Sequence, residues 1–303
     1  MAPDRASRRR TLRWCAALTL LVAIAPPQPR TLSAGDDPDE LIQIYMRDTR
    51  TKKPPERPSE RMYSKNGIIY CTGSGRAAEL NNRAADLIAA GANAEAKAIL
   101  ARGLERAPLF FPFVYNAGLC CLFLREYEQG LIYFRRASDL LPEYPKTYLQ
   151  MGYINEMKGL PDEAIAQYRR ALGTNAKELD SFILIGDIYY NRNRIDTAEK
   201  YYRASLKIDP LFSNGIIGVA KIHFYRKEYH SCIVVIKSVD LESEYDRALH
   251  YYYAESAYKL LDYKTATEQY RRLLEFKSDK FFITHPRSLI QHKLDLASRF
   301  VNQ

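Results

Sequence analysis

Residues 145–178 read PKTYLQMGYINEMKGLPDEAIAQYRRALGTNAKE, and residues 179–212 read LDSFILIGDIYYNRNRIDTAEKYYRASLKIDPLF. Written one above the other, Gly152 falls on Gly186, Ala164 on Ala198 and Tyr168 on Tyr202. The same columns run outward in both directions at intervals of 34 residues. They define six units without a gap: 77–110, 111–144, 145–178, 179–212, 213–246 and 247–280. The eighth position is small throughout: Ala84, Gly118, Gly152, Gly186, Ala220 and Ala254. So is the twentieth: Ala96, Gly130, Ala164, Ala198, Cys232 and Ala266. The twenty-fourth is large: Leu100, Phe134, Tyr168, Tyr202, Ile236 and Tyr270. Proline closes three units, at Pro108, Pro142 and Pro210. A period of this length means a supersecondary unit that buries its apolar face only by stacking on its neighbours.

Each unit divides into two helices. The turn between them is expected at Gly91, Gly159 and Asn193, residue types that tolerate the left-handed conformation after a helix. Pro161-Asp162-Glu163 then opens a second helix, with proline in the first turn and acids at the positive helix end. Small residues at the eighth and twentieth positions let the two helices approach, and the large twenty-fourth residue is expected to reach the neighbouring unit. Tyr127, Tyr229 and Tyr263 fill a further column at the seventeenth position. The fifth and sixth units depart from the pattern: Glu244 and Ser278 replace proline, and Val239 and Leu273 replace a small residue. Stacking there is expected to be less regular.

This period and these columns resemble the tetratricopeptide repeat over residues 77–280. The resemblance implies an all-α fold, a right-handed solenoid of helical hairpins. A solenoid end exposes apolar surface, and residues 281–303 are expected to cover it. There Pro286 opens a C-terminal helix with Leu289, Ile290, Leu294, Ala297 and Val301 along one face.

The chain before the repeats is of a different kind. Residues 1–34 read as a signal peptide, with Arg8, Arg9, Arg10 and Arg13 followed by an apolar run from Trp14 to Ala25. That run suits an export signal and is shorter than the ~20 residues that span a bilayer. Cleavage is expected after Ala34, which places the chain in the periplasm or envelope; the competing reading is an uncleaved N-terminal anchor. Residues 35–76 read as a linker, mostly extended, with a short helix over 38–48. Pro54, Pro55 and Pro58 among basic residues give it that character, and Ile68-Ile69-Tyr70 is an apolar patch expected to dock on the first repeat. Taking the net five positive charges of residues 1–34 from the formal +9 leaves +4, too little to indicate nucleic acid.

No catalytic motif is present: no H-E-x-x-H, Walker loop, G-x-S-x-G or dinucleotide fingerprint. The histidines and cysteines show no metal spacing, and no cofactor is implied. Cys120, Cys121 and Cys232 are expected as small apolar residues in helix contacts, and His223 and His250 as partly buried helix residues. The family resemblance implies that the first helix of each unit lines a concave groove. It puts Tyr115, Leu119, Phe123, Tyr153, Asp187, Tyr190, Lys221, Phe224, Tyr225, Tyr251, Glu255 and Tyr258 on that face. Lysine is absent from the fifth positions, so a clamp for a terminal carboxylate is not supported. An aromatic-rich groove points to a protein or peptide partner held by an exported scaffold. The alternative is an accessory subunit of a solute-uptake system holding a small apolar molecule.

Overall fold

The computed structural model describes residues 62–73, 75–174, 178–239, 247–276 and 281–301. The signal peptide, the cleavage site and the helix expected over 38–48 lie outside the described residues.

The first five units' helical pairs begin with α1 (Arg76–Ala89) and α2 (Asn93–Arg106), then α3 (Phe111–Phe123) and α4 (Tyr127–Leu140). They continue with α5 (Pro145–Met157) and α6 (Pro161–Thr174), α7 (Leu179–Asn191) and α8 (Ile195–Ile208), and α9 (Ser213–Tyr225) and α10 (Tyr229–Ile236). The sixth pair is α11 (Arg247–Lys259) and α12 (Tyr263–Glu275), followed by a short α13 (Phe281–Thr284) and by α14 (Arg287–Val301). From α1 to α12 each helix packs against its successor in the chain, and most first helices also touch the first helix of an adjacent unit. The result is a helical-hairpin solenoid. No described helix is long and apolar enough to cross a membrane.

The stop signal of every first helix is the same. The fifteenth residue of each unit is left-handed: Gly91, Arg125, Gly159, Asn193, Lys227 and Leu261. The next amide then reaches back five residues, as from Ala92 to the Leu87 carbonyl and from Asp262 to that of Ala257. That pattern caps the orphan carbonyls of a helix end. Gly91, Gly159 and Asn193 are residue types suited to it, whereas Arg125, Lys227 and Leu261 adopt the conformation against their own preference.

Every residue of the eighth and twentieth columns is buried. The reason differs from the sequence expectation at one point. A Cβ added to Gly118, Gly152 or Gly186 would fall 2.3–2.8 Å from the ring at the twenty-fourth position of the same unit: Phe134, Tyr168 or Tyr202. The large residue therefore fills the space left by its own unit's eighth residue. Tyr202 reaches the neighbour as well, since a Cβ on Gly218 would lie 2.4 Å from it.

Two regions differ from the expected plan. The second helix of the fifth unit, α10, has 8 residues where α2, α4, α6 and α8 have 14 each. In α14 only Ile290 and Ala297 of the expected face are buried, while Leu289 and Val301 are exposed. Its packing against α12 nonetheless covers the end of the solenoid.

The larger correction lies in the segment read as a linker. Strands β1 (Met62–Lys65) and β2 (Ile68–Cys71) form an antiparallel hairpin, so the fold is a helical solenoid with one β-hairpin added. The two-residue turn is Asn66-Gly67, with φ of 52° and 79°. Two positive φ values are the backbone requirement of the hairpin turn that matches strand twist, and Asn-Gly is its favoured sequence.

Candidate functional site

The first-helix face has two halves. In the N-terminal half, all four residues of β2 are buried against α1 and α3. The register explains how a strand can lie there. Lys65 pairs with Ile68 across the turn, so Ile69 and Cys71 direct their amides and carbonyls away from β1. Asparagines from the helices meet them. The Asn116 side chain accepts from the Ile69 amide at 3.1 Å and donates to the Ile69 carbonyl at 2.8 Å. Asn82 does the same for Cys71, both bonds being 2.8 Å. Asn81 donates to the Ile69 carbonyl at 2.9 Å and accepts from Asn116 at 2.9 Å. The three amides act as a third strand, leaving no lone buried main-chain donor at Ile69.

This arrangement settles the position of two residues expected to line the groove. Tyr115 and Leu119 are enclosed, not open, and β2 packs on the helix that carries them. Tyr115 packs edge-on against Phe134 and Tyr144, with centroids at 5.5 and 5.4 Å. Helix α3 is buried at every position from Phe111 to Leu122, and only Phe123 at its end is exposed. Its sequence, FPFVYNAGLCCLF, is apolar all round, which was the available sign that something covers its outer face.

In the C-terminal half, no described element covers α5, α7 and α9 in this way. Tyr153 and Tyr225 are 41% and 49% exposed, and Met157 is also exposed. Tyr190 is half-buried, with its ring 5.9 Å from that of Tyr225. The Tyr225 hydroxyl donates to Asn193 at 2.8 Å. Toward the end of the solenoid the aromatics turn into packing groups. Phe224 lies against Tyr229 and Tyr252, Tyr251 against Phe281 and His285, and Tyr258 against Tyr263.

Charged groups on this face are wired to the tyrosine column. The Tyr202 hydroxyl donates to Asp187 at 2.6 Å, and Lys221 of the next unit bonds the same oxygen at 2.5 Å. The Lys221 ammonium sits 4.4 Å from the Tyr190 centroid and 5.3 Å from that of Tyr202, a cation over aromatic faces. In the sixth unit, Glu255 is buried, accepts from Tyr270 at 2.6 Å and is paired with Lys293 of α14. Asp187 and Lys221 therefore stand together, whereas Glu255 is spent on internal contacts. In the third unit, Tyr168 donates to Glu156 at 3.0 Å. Burial pushes the Glu156 carboxyl above its ordinary range, with a further push from Asp187.

Cys120, Cys121 and Cys232 fall where helix packing needs small residues. They are buried, as is Cys71 of β2, and none of the four is in a disulfide. Burial raises the thiols of Cys120 and Cys121 to about 12 and about 11, far from reactive thiolates. His250 is buried and bonded to Gln269, and His223 contacts Glu228.

The family described as tetratricopeptide repeat matches residues 158–211. Human Cell division cycle protein 16 homolog is 30% identical over 99 residues, which is 32% of this chain and 15% of that protein. TPR repeat-containing protein YpiA of Bacillus subtilis is 19% identical over 147 residues, 48% of this chain and 35% of that protein. The chain thus spans only a minor part of the length of these relatives. A tetratricopeptide repeat protein of known structure from Parabacteroides merdae has a TM-score of 0.53 at 16% identity, covering 75% of this chain and 86% of that one. A chain from the crystal structure of a hetero-tetramer of the APC/C also has a TM-score of 0.53 at 16% identity, covering 73% and 45%. At such identity the likeness is one of fold. The repeat columns, the capped helical hairpins and the family match agree: residues 158–211 match the tetratricopeptide-repeat family, and the chain has the fold of a tetratricopeptide-repeat solenoid.

Proposed function

We propose that the chain is an exported scaffold that holds a protein or peptide partner along its first-helix face, in an assembly of the cell envelope. The observation that carries this reading is the hairpin. The N-terminal half of the face already grips an extended strand, β2, by its main chain and buries its side chains. The C-terminal half presents exposed Tyr153, Met157 and Tyr225 beside Asp187 and Lys221, a mixture of apolar area and polar anchors suited to recognition. Relatives such as Anaphase-promoting complex subunit 6 of Dictyostelium discoideum, 38% identical over 61 residues, are by name parts of assemblies. Export is supported by the basic and apolar pattern of residues 1–34.

Changing Tyr153 and Tyr225 together to alanine tests the reading. Both are exposed by close to half, so the variant keeps its helicity while partner affinity falls about thirtyfold, as for a typical hot spot of ~2 kcal/mol. Capture of the partner at wild-type strength by a folded double variant contradicts it. A depression on the first unit is lined by Leu87 and Ile99 together with Glu79, Asn82, Arg83, Asp86 and Glu95, away from the exposed tyrosines.

A further inference from the structure

Three units place a carboxylate of the first helix against the hydroxyl of their own twenty-fourth-position tyrosine. They are Glu156 with Tyr168, Asp187 with Tyr202 and Glu255 with Tyr270. In two of the three an ammonium group completes the arrangement. Lys221 bonds Asp187 and lies over Tyr190, and Lys293 bonds Glu255 with its ammonium 5.6 Å from the Tyr251 centroid. Each of these lysines comes from the next first helix or from α14, which stands in the place of one.

Glu156 lacks that third member. Among the described residues its hydrogen-bond partner is the Tyr168 hydroxyl, and no lysine or arginine is paired with it. The residue 34 positions further on, where Lys221 stands relative to Asp187, is Tyr190. Aromatic surface is nevertheless in place on the same helix: Tyr153, exposed one turn earlier on α5. A half-buried carboxylate bonded to a tyrosine hydroxyl, with Asp187 adding negative charge and no paired cation among the described residues, is complementary to a cationic side chain. It also lies in the open half of the face, just beyond the half that already holds a strand.

We propose that Glu156, one turn along α5 from the exposed Tyr153, receives a lysine or arginine side chain from an extended segment of the partner, which does for Glu156 what Lys221 does for Asp187. This rests on the reading that the first-helix face binds polypeptide. It adds the chemistry that selects the partner: a basic residue set among apolar ones.

Selection of a displayed random decapeptide library on the full chain, in parallel with its Glu156→Gln variant, tests it. Glutamine keeps an acceptor for Tyr168, and thermal unfolding of the variant verifies that the fold is retained. The expected result is enrichment of lysine or arginine at one position by the wild-type chain and loss of that enrichment by the variant, with apolar preferences unchanged. Individual peptides from the wild-type selection should bind the variant about tenfold more weakly. Peptides selected without a basic residue, or with one that survives Glu156→Gln, overturn the assignment but leave the groove reading intact. Selection of no peptide by either protein counts against both. Selected peptides that follow a stretch of this chain's own sequence, without a basic requirement, point to a second copy as the occupant and likewise overturn it.

Discussion

At the scale of residues, the second, third and fourth units each depend on one ring and one missing side chain. The ring of Phe134, Tyr168 or Tyr202 occupies the place where a Cβ on Gly118, Gly152 or Gly186 would stand, so in these units the eighth residue must be glycine. The fifteenth position imposes a backbone demand instead, and Leu261 meets it poorly. Its φ of 63° places a branched side chain in a conformation that costs roughly 1–2 kcal/mol, while that side chain is 69% exposed and gains little from burial. Leu261→Gly is therefore expected to stabilise the chain by about 0.5–1 kcal/mol, since glycine's looser unfolded state offsets part of the relief. Chemical denaturation measures this; a lower unfolding midpoint would count against a strained turn. Glu156 gives a pH-dependent counterpart. Its carboxyl is raised in the folded chain, chiefly by burial, so its contribution is full below 4.5 and is lost as pH rises through the raised value. Glu156→Gln should be more stable than wild type at neutral pH, with the difference closing as pH falls toward 4.5. Melting temperatures across that range decide it, and a constant difference would mean that ionisation is not the cause.

At the scale of elements, the hairpin is the feature that separates sequence from structure. The repeats were legible because each position is defined by a size class that recurs six times, and averaging over units overcomes any one substitution. Asn66-Gly67 occurs once, inside a segment whose prolines and basic residues suggest an extended linker, and it carries the turn signal that such a composition obscured. Docking of Ile68-Ile69-Tyr70 on the first repeat was visible from their apolarity. The asparagines that receive them were not, because nothing in the residue types at Asn81, Asn82 and Asn116 marks them as strand partners until the strand is beside them. Tyr115 read as open groove although Phe134 and Tyr144 of its own unit enclose it, and β2, which packs on the same helix, comes from outside the repeat. Arg125, Lys227 and Leu261 were illegible as left-handed turns because their side chains favour other conformations. The clamp has a measurable consequence. Asn116→Ala leaves the Ile69 amide without its partner in a buried site and should cost about 1–3 kcal/mol. Hydrogen exchange at residues 68–71 should accelerate while α7 and α9 keep their protection. Unchanged exchange there would show that the asparagines do not hold the strand.

At the scale of the whole molecule, the described residues form a solenoid with one half of the first-helix face covered by β2 and the other half covered by no described element, and the proposed function follows from that division. The proposed export has its own physical signature. The chain's one tryptophan, Trp14, lies within residues 1–34. The secreted protein should therefore show tyrosine emission alone and an intact mass beginning at residue 35. Tryptophan emission from the mature protein would favour a retained anchor. Partner binding is tested most directly by placing a photo-crosslinking side chain at single sites in the producing cell. Tyr153 and Tyr225 sample the open half of the first-helix face, and Ile132 and Val234, exposed on second helices, sample the opposite side. The account predicts a discrete protein adduct from Tyr153 and Tyr225 and none from Ile132 or Val234. Adducts from the second-helix sites, with none from the two tyrosines, would contradict it.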